Sequence, residues 1–388
     1  MYVTEDPEHL QMLRDSLRRF IAAELPREKV REWDRTRHFP VDVFRRLAGL
    51  GVCGLTVDEE YGGAGRDIVA AVAVVEELCR RGTTLGGPYV HCAFYAGMNI
   101  SENGSEAQKR GLLPRVASGE LLFAYGLSEP DVGADLASTR TTARREGGKV
   151  IVNGSKRWCT AARIADYIYC LCRSDPDAPR YQNLSLVLVP RDAPGVTIED
   201  IGHMGIGYAH TTDVVFADVE IPEENIVGGP AGWNRGWPML AGPALDVEKI
   251  EVAAMTLGIA TAAVDDATAY AQERRQFGKP VSAFQAVRHT LAEAHTRLHA
   301  CRLMLYHAAS LAQQGRNCSQ EASMAKLFVC DTARQIVLDC QQVMGAYGCA
   351  DEYDMRRYVS DALVMPIIGG SSNIQRNNIA RRLGLASA

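Results

Sequence analysis

Residues 148–160, "GKVIVNGSKRWCT", alternate apolar and polar side chains as a half-buried β-strand does. Asn153-Gly154 lies at the centre of the stretch. Because that pair takes up positive φ at little cost, the pattern predicts a hairpin turning there. Downstream, "ADYIYCLCRS", "NLSLVLVP", "GVTIED" and "TTDVVFADVEIP" read as further short strands separated by Pro, Gly and Asp. The expectation is a β domain over residues 121–228.

Both flanks change period. On the N-terminal side, residues 1–120, Leu10, Leu13, Leu17 and Phe20 recur at three- and four-residue steps, the stripe of an amphipathic helix. Val43–Leu50 repeats the pattern, "VDEEYGGAG" is a glycine loop, and Ile68–Cys79 is an apolar, buried helix by its composition. On the C-terminal side, residues 229–388, Val247, Ile250, Ala254 and Leu257 keep one face of a helix running to about Arg275. Helices over about 280–314 and 318–344 and two shorter ones follow, enough for an antiparallel bundle. The fold class expected is α+β and multidomain: an N-terminal α-helical domain, a central β-barrel-like domain and a C-terminal four-helix bundle.

A chain of 388 residues exceeds one ordinary core, and 47% hydrophobic with 23% charged residues is the balance of an ordered globular protein. A formal net charge of −5 gives a nucleic-acid partner no support. No apolar run approaches the ~20 residues a membrane span needs. The first residues are acidic and unlike a secretory signal, so a cytoplasmic location is expected. Eleven cysteines include no CxxC pair, and Cys170 and Cys172, two apart in a strand, fall on one face, so reduced core cysteines are expected. His295 and His299 have helical spacing but no third ligand, and no metal is expected. A complete GxGxxG after a strand, a P-loop and a GxSxG elbow are all missing.

"FAYGLSEPDVGAD", residues 123–135, runs as a strand into a sharp turn at Pro130 and Gly133. Such a turn exposes backbone N–H groups and the Ser128 hydroxyl, which suits the edge of a flat heterocycle, or it is a plain loop. With "NGSKRWCT", "FADVEIPEENIVG", "ERRQFGKPVSAFQ", "QQVMGAYG" and "GGSSNIQR" following in order, the chain resembles the FAD-dependent acyl-CoA dehydrogenases over essentially its whole length.

The resemblance implies an FAD cofactor and assigns roles. Tyr125, Leu127 and Ser128 would meet the isoalloxazine, with Trp158 beside it and Thr160 near its N5 edge. Ser371 and Asn373 would hold the dinucleotide in the same site. Arg274, Gln276, Phe284 and Gln285, with Gln342, Gly345 and Ala346 of the "QxxGG" segment, would reach a neighbouring subunit's FAD. A homo-oligomer, usually a tetramer, is thereby implied, with an electron-transfer flavoprotein as acceptor. Three departures from the pattern leave the FAD assignment standing and bear on the shape of the acyl pocket: Ala134 replaces a serine, Ala346 the second glycine of QxxGG, and Gly207–His210 a more polar stretch.

Family chemistry removes an α-proton from an acyl thioester while a hydride leaves the β-carbon, which calls for a carboxylate and for donors to the thioester carbonyl. Many members carry that carboxylate in a "YEGT" turn; here the matching residues are Ile368-Gly369-Gly370-Ser371. Isovaleryl- and long-chain-specific members place it instead in an "LDLER"-like segment. Leu245–Lys249, "LDVEK", stands there, so the resemblance implies Glu248 as base and leaves the Gly369 N–H as a carbonyl donor. Leu245, Lys249, Gly370 and Ala134 are the other substrate-side candidates. Glu251, three residues on, is expected to be an ordinary solvated helix residue. The activity implied is desaturation of an acyl-CoA, with short branched or cyclic acyl groups admitted by the glycine at 369. The alternatives are an acyl-carrier-protein thioester, an enoyl-CoA reductase, and a non-catalytic subunit of a mixed tetramer.

Overall fold

The computed structural model describes residues 6–385. Seven α-helices come first: α1 (Glu8–Glu24), α2 (Arg27–Thr36), α3 (Val41–Ala48), α4 (Ile68–Cys79), α5 (Thr83–Tyr89), α6 (Asn99–Asn103) and α7 (Glu106–Ala117). Strands β1 (Phe123–Gly126), β2 (Thr142–Glu146), β3 (Lys149–Lys156), β4 (Tyr167–Arg173), β5 (Leu184–Pro190), β6 (Val196–Ile201) and β7 (Thr211–Pro222) follow. The chain then returns to helix in α8 (Gly236–Leu240), α9 (Pro243–Glu273), α10 (Gln285–Gln313), α11 (Ser319–Met344), α12 (Met355–Val364) and α13 (Ser372–Arg382).

The stripe of α1 differs from the sequence expectation. Leu10, Leu17 and Ile21 are buried, Leu13 and Phe20 only partly, and Arg14 joins the buried face. Its guanidinium donates to Glu77 Oε1 and to Glu76 Oε2, each at 2.9 Å, which ties α1 to α4. Burial opposes that charge, but the carboxylates around it hold the Arg14 pKa above its ordinary value. Between α5 and α6, residues Val90–Met98 widen into a π-helix, a rare geometry found mostly at functional sites.

The strands form one curled sheet in the order β1-β4-β2-β3-β7-β6, with β5 added on β4. Here the hairpin expectation is corrected. The turn joining β2 to β3 is Gly147-Gly148, at φ +59° and +79°, and Glu146 pairs with Lys149 across it. Two consecutive positive φ values are what a type I′ turn demands, and two glycines meet that demand more cheaply than Asn-Gly. Asn153-Gly154 lies inside β3, where the register against β7 shifts in a bulge. The Asn153 amide donates to Asp218 Oδ1 and accepts from the Asp218 N–H, both at 2.9 Å, so that side chain is fastened across the sheet. Cys170 and Cys172 do share a face, their sulfurs 3.6 Å apart in the core. Ten of the eleven cysteines are buried and all are reduced.

The 31-residue α9 is the axis of the C-terminal part and packs on α11, α10 and α4. Small residues let it be buried on nearly every side. At Gly258 a Cβ would collide with the Glu76 carbonyl, so the close approach of α9 to α4 requires glycine there.

Candidate functional site

The turn that carries the missing glutamate is built by two glycines between α12 and α13, Gly369 at φ +58° and Gly370 at φ +80°. Ser371 ends it as the N-cap of α13, its Oγ accepting from the Ile374 N–H at 3.4 Å. The fully buried Lys326 of α11 donates to the Gly370 carbonyl at 2.9 Å. The amide of Gln375 donates to the carbonyls of Gly369 and Gly370, at 3.2 and 2.9 Å. The Gly369 N–H donates to no group among the described residues. A Cβ at Gly369 would stand 3.0 Å from Val252 Cγ2 on α9. Val252 and Glu248 are four residues apart on that helix and so neighbours on one face. Gly369 therefore lies against the strip of α9 that carries Glu248.

Glu248 is half-buried. Burial pushes its carboxyl up to about 7, against the pull of the Lys249 and Lys326 charges. Lys249 itself is buried and donates to Asp246 Oδ1 at 2.7 Å, on the side where Asp246 also accepts from Ser319. Leu245 is half-buried one turn from the start of α9.

Glu251 corrects the sequence reading. It is 0% exposed, and neither carboxylate oxygen has a hydrogen-bond partner among the described residues. Burial, then the charge of Glu248, holds its pKa well above the ordinary value. Three residues apart, the two glutamates share a helix face. The spacing in "EKIEV" was visible in the sequence; what hid its meaning is that glutamate is an ordinary helix former.

Opposite α9 stands a polar aromatic wall of which the sequence singled out Tyr125, as a flavin contact, and the stretch that holds Tyr208, but not His91, Tyr95 or Asn99. His91, Tyr95 and Asn99 come from the π-helical segment and the start of α6 at four-residue spacing. The rings of Tyr95 and Tyr125 stack at 3.7 Å with 9° between planes, and Asn99 donates to the Tyr125 hydroxyl at 2.7 Å. Both hydroxyls are held well above their ordinary pKa by burial, with Glu248 and Glu251 adding to it. His91 lies between the Phe123 carbonyl and the Tyr208 hydroxyl, at 2.6 Å from each. Burial lowers its pKa to about 4, so the ring is neutral: Nδ1–H donates to Phe123 and Nε2 accepts from Tyr208.

The β-domain candidates form a second surface. The Ser128 carbonyl accepts from the Arg157 N–H at 2.8 Å, joining the turn after β1 to the loop after β3. Leu127 donates no side-chain bond, but its carbonyl accepts from Lys156 at 3.2 Å. Beneath them Glu129 is buried; burial raises its pKa, yet the Lys156 charge at 2.9 Å and bonds from Thr139 and the Thr141 N–H bring it down to about 2. Trp158 is held at φ +64° with 54% of its surface exposed, the Arg157 guanidinium 4.9 Å from its ring. Thr160 pairs with Thr211, hydroxyl to hydroxyl, at 2.9 Å. Ala134 is exposed in the same turn region.

The third group gathers at one end of the bundle. The Arg274 guanidinium lies 5.5 Å from the Tyr347 ring, which brings the Arg274–Gln285 segment to the Gln342–Ala346 segment. Gln276, Gln285, Gln342 and Ala346 are exposed there, Gly345 takes φ +60°, and Phe277, its ring edge-on to that of Phe284, is 92% exposed. Asn373 is exposed and accepts from Arg376 at 3.2 Å; no hydrogen bond among the described residues joins Ser371 or Asn373 to the Trp158 surface. His295 and His299 are exposed, and no group of three metal-ligating side chains occurs among the described residues. No described helix is long and apolar enough to cross a membrane.

Three protein-family profiles match in order: "Acyl-CoA dehydrogenase, N-terminal domain" over residues 7–120, "middle domain" over 124–219 and "C-terminal domain" over 234–384. The chain is 37% identical to an acyl-CoA dehydrogenase of Bacillus subtilis, over 99% of both chains. It is 31% identical to the caffeyl-CoA reductase-Etf complex subunit CarC of Acetobacterium woodii, over 97% of this chain and 98% of that one. Butyryl-CoA dehydrogenase from Megasphaera elsdenii superposes with a TM-score of 0.92 at 29% identity, over 98% of this chain and 99% of that chain. A helical–β–helical chain matched in order by three domain profiles, and end to end by its relatives, belongs to the acyl-CoA dehydrogenase family.

Proposed function

We propose that this enzyme desaturates a short acyl thioester between the α- and β-carbons, with Glu248 as the base. The observation that carries the reading is the pairing of Glu248 with the glycine at 369: the turn lacks a carboxylate, and it lies against Val252, one helical turn along α9 from Glu248. A carboxyl titrating near 7 both accepts a proton at neutral pH and holds it, which suits a base that takes an α-proton. The free Gly369 N–H is a donor for the thioester carbonyl, whose developing negative charge makes the α-proton more acidic. The stacked Tyr95–Tyr125 pair crowds the side of the pocket opposite α9, which favours a short acyl group, branched or cyclic near the thioester.

Members of the family are flavoproteins, and the residues here fit FAD. Trp158 presents a half-exposed indole from strained backbone beside the Ser128 turn and Thr160, an apolar face that a flat ring would cover. Ser371 and Asn373 are the proposed contacts for the rest of the dinucleotide. FAD, when bound, supplies the hydride acceptor. The chain's own part is to orient the thioester, take the α-proton on Glu248 and exclude water with the tyrosine wall. The exposed Phe277, Gln276, Gln285, Gln342 and Ala346 support a homo-oligomer in which this end of the bundle completes a neighbour's site. Coenzyme A is the proposed carrier and an electron-transfer flavoprotein the proposed acceptor, the latter supported by the Etf-complex relative. That relative is a reductase, which favours a second reading in which the same proton and hydride move in reverse.

Anaerobic addition of saturated short-chain acyl-CoAs to purified holoenzyme tests the proposal. Bleaching of the oxidised flavin by at least one of them is expected. Re-oxidation of reduced enzyme by enoyl-CoAs, with no bleaching by any saturated thioester, would establish the reverse direction.

A further inference from the structure

Glu251 is the costliest side chain in the pocket. A carboxyl removed from water with neither oxygen hydrogen-bonded forfeits several kcal/mol of hydration unless it stays neutral or finds a partner. Valine or leucine would fill an alanine- and isoleucine-rich helix face without that cost. The surroundings give it no cation of their own: Lys249 is committed to Asp246, and Lys326 to the Gly370 carbonyl. Its charged neighbour on the same face is a second carboxyl, Glu248. Its titratable neighbours across the pocket are aromatic hydroxyls, those of Tyr95, Tyr125 and Tyr208.

Two acidic groups faced by three aromatic hydroxyls, without a free positive charge, describe a receptor for a cation. We propose that the acyl group of the substrate carries a protonated amine, received by Glu251 among the rings of Tyr95, Tyr125 and Tyr208. The proposal rests on the thioester reading of the same site and names its substrate class. An acyl group ending in a carboxylate is repelled by ionised Glu248 and brings Glu251 no cation, and a plain alkyl group leaves Glu251 unsatisfied. Glu251 is fully enclosed in the conformation described, so entry of the ammonium requires a side chain of the pocket wall to move. Because the empty pocket keeps Glu251 protonated, arrival of the cation makes the carboxyl ionise, and binding expels one proton to solvent.

The test uses the holoenzyme with its flavin reduced beforehand, so that no hydride leaves the ligand during the titration. Calorimetry compares 3-aminopropionyl- and 5-aminopentanoyl-coenzyme A with 3-hydroxypropionyl-, butyryl- and hexanoyl-coenzyme A. At least one amine is expected to bind about tenfold or more tighter than its neutral counterparts. Its heat should depend on the buffer's ionisation enthalpy as release of one proton requires, and Glu251→Gln should abolish both the preference and the proton release. The proposal falls if the neutral thioesters bind as tightly as both amines, or if Glu251→Gln leaves the preference intact. The two readings fail separately. Neutral thioesters that bleach oxidised flavin without any amine preference overturn the cation site and leave the dehydrogenase. An amine preference dependent on Glu251, with no thioester able to reduce the flavin, keeps the site and overturns the reaction.

Discussion

Glu129 and Glu251 are both buried carboxyls, and their surroundings send them in opposite directions. Glu129, in the turn after β1, is met by Lys156, Thr139 and two backbone N–H groups, and titrates at about 2. Glu251, on α9, is met by no donor among the described residues, and its pKa rises. The first is a structural ion pair that shapes the loop under Leu127 and Ser128. The second is held in readiness at the pocket, with Glu248 on the same face between the extremes at about 7. The lesson is that burial alone assigns no role to a carboxylate; the count of its donors does.

Substitutions sharpen the contrast. The largest effect is expected at Glu248, the member of the three that takes the α-proton in this account. Glu248→Gln keeps the volume and removes the acceptor, so flavin reduction by substrate should fall ~10²–10⁴-fold with flavin content unchanged. Next is Lys156→Met, which strands Glu129 as an unpaired buried charge. A loss of about 3–5 kcal/mol at pH 7 is expected in denaturant unfolding, and most of it should be absent when Glu129 is changed to Gln as well.

Glu251→Leu should act with the opposite sign. Removing an unsatisfied buried carboxyl is expected to stabilise the protein by about 1–3 kcal/mol at pH 8, read as a higher unfolding midpoint. The sign follows from linkage. A carboxyl whose folded pKa is raised holds its proton in the folded state after the unfolded chain has lost it. Its contribution is therefore fully present below the unfolded pKa and is lost as pH rises, so the advantage of Glu251→Leu should shrink toward pH 4. The smallest effect is expected at Gly369→Ala, where φ +58° and a Cβ 3.0 Å from Val252 should cost about 1–2 kcal/mol of stability.

Much of this was legible in the sequence, and what was not has physical causes. The long helices and the later strands follow from periodicity, because a bundle and a half-buried sheet impose periods of 3.6 and 2. The hairpin was misplaced because Asn153-Gly154 and Gly147-Gly148 both accept positive φ; the two glycines take the turn more cheaply, and Asn153 is left inside β3 to bond across the sheet to Asp218. Glu248 was legible through the motif around it. Glu251 was not, because no local rule distinguishes a solvated glutamate from one facing a ring of tyrosines contributed by residues 95, 125 and 208. His91 and Tyr208 meet only through tertiary packing, 117 residues apart in sequence.

The account turns on Glu248 being a base whose pKa is lifted to neutrality by its site. The direct measurement is the pH dependence of the single-turnover rate of flavin reduction at saturating thioester. Wild type should gain about tenfold per pH unit below an inflection near 7 and level off above it, while the residual rate of Glu248→Gln shows no such inflection. A wild-type rate independent of pH from 5.5 to 8.5 (roughly the range over which a carboxylate of this kind titrates), or one that Glu248→Gln follows unchanged, would contradict it.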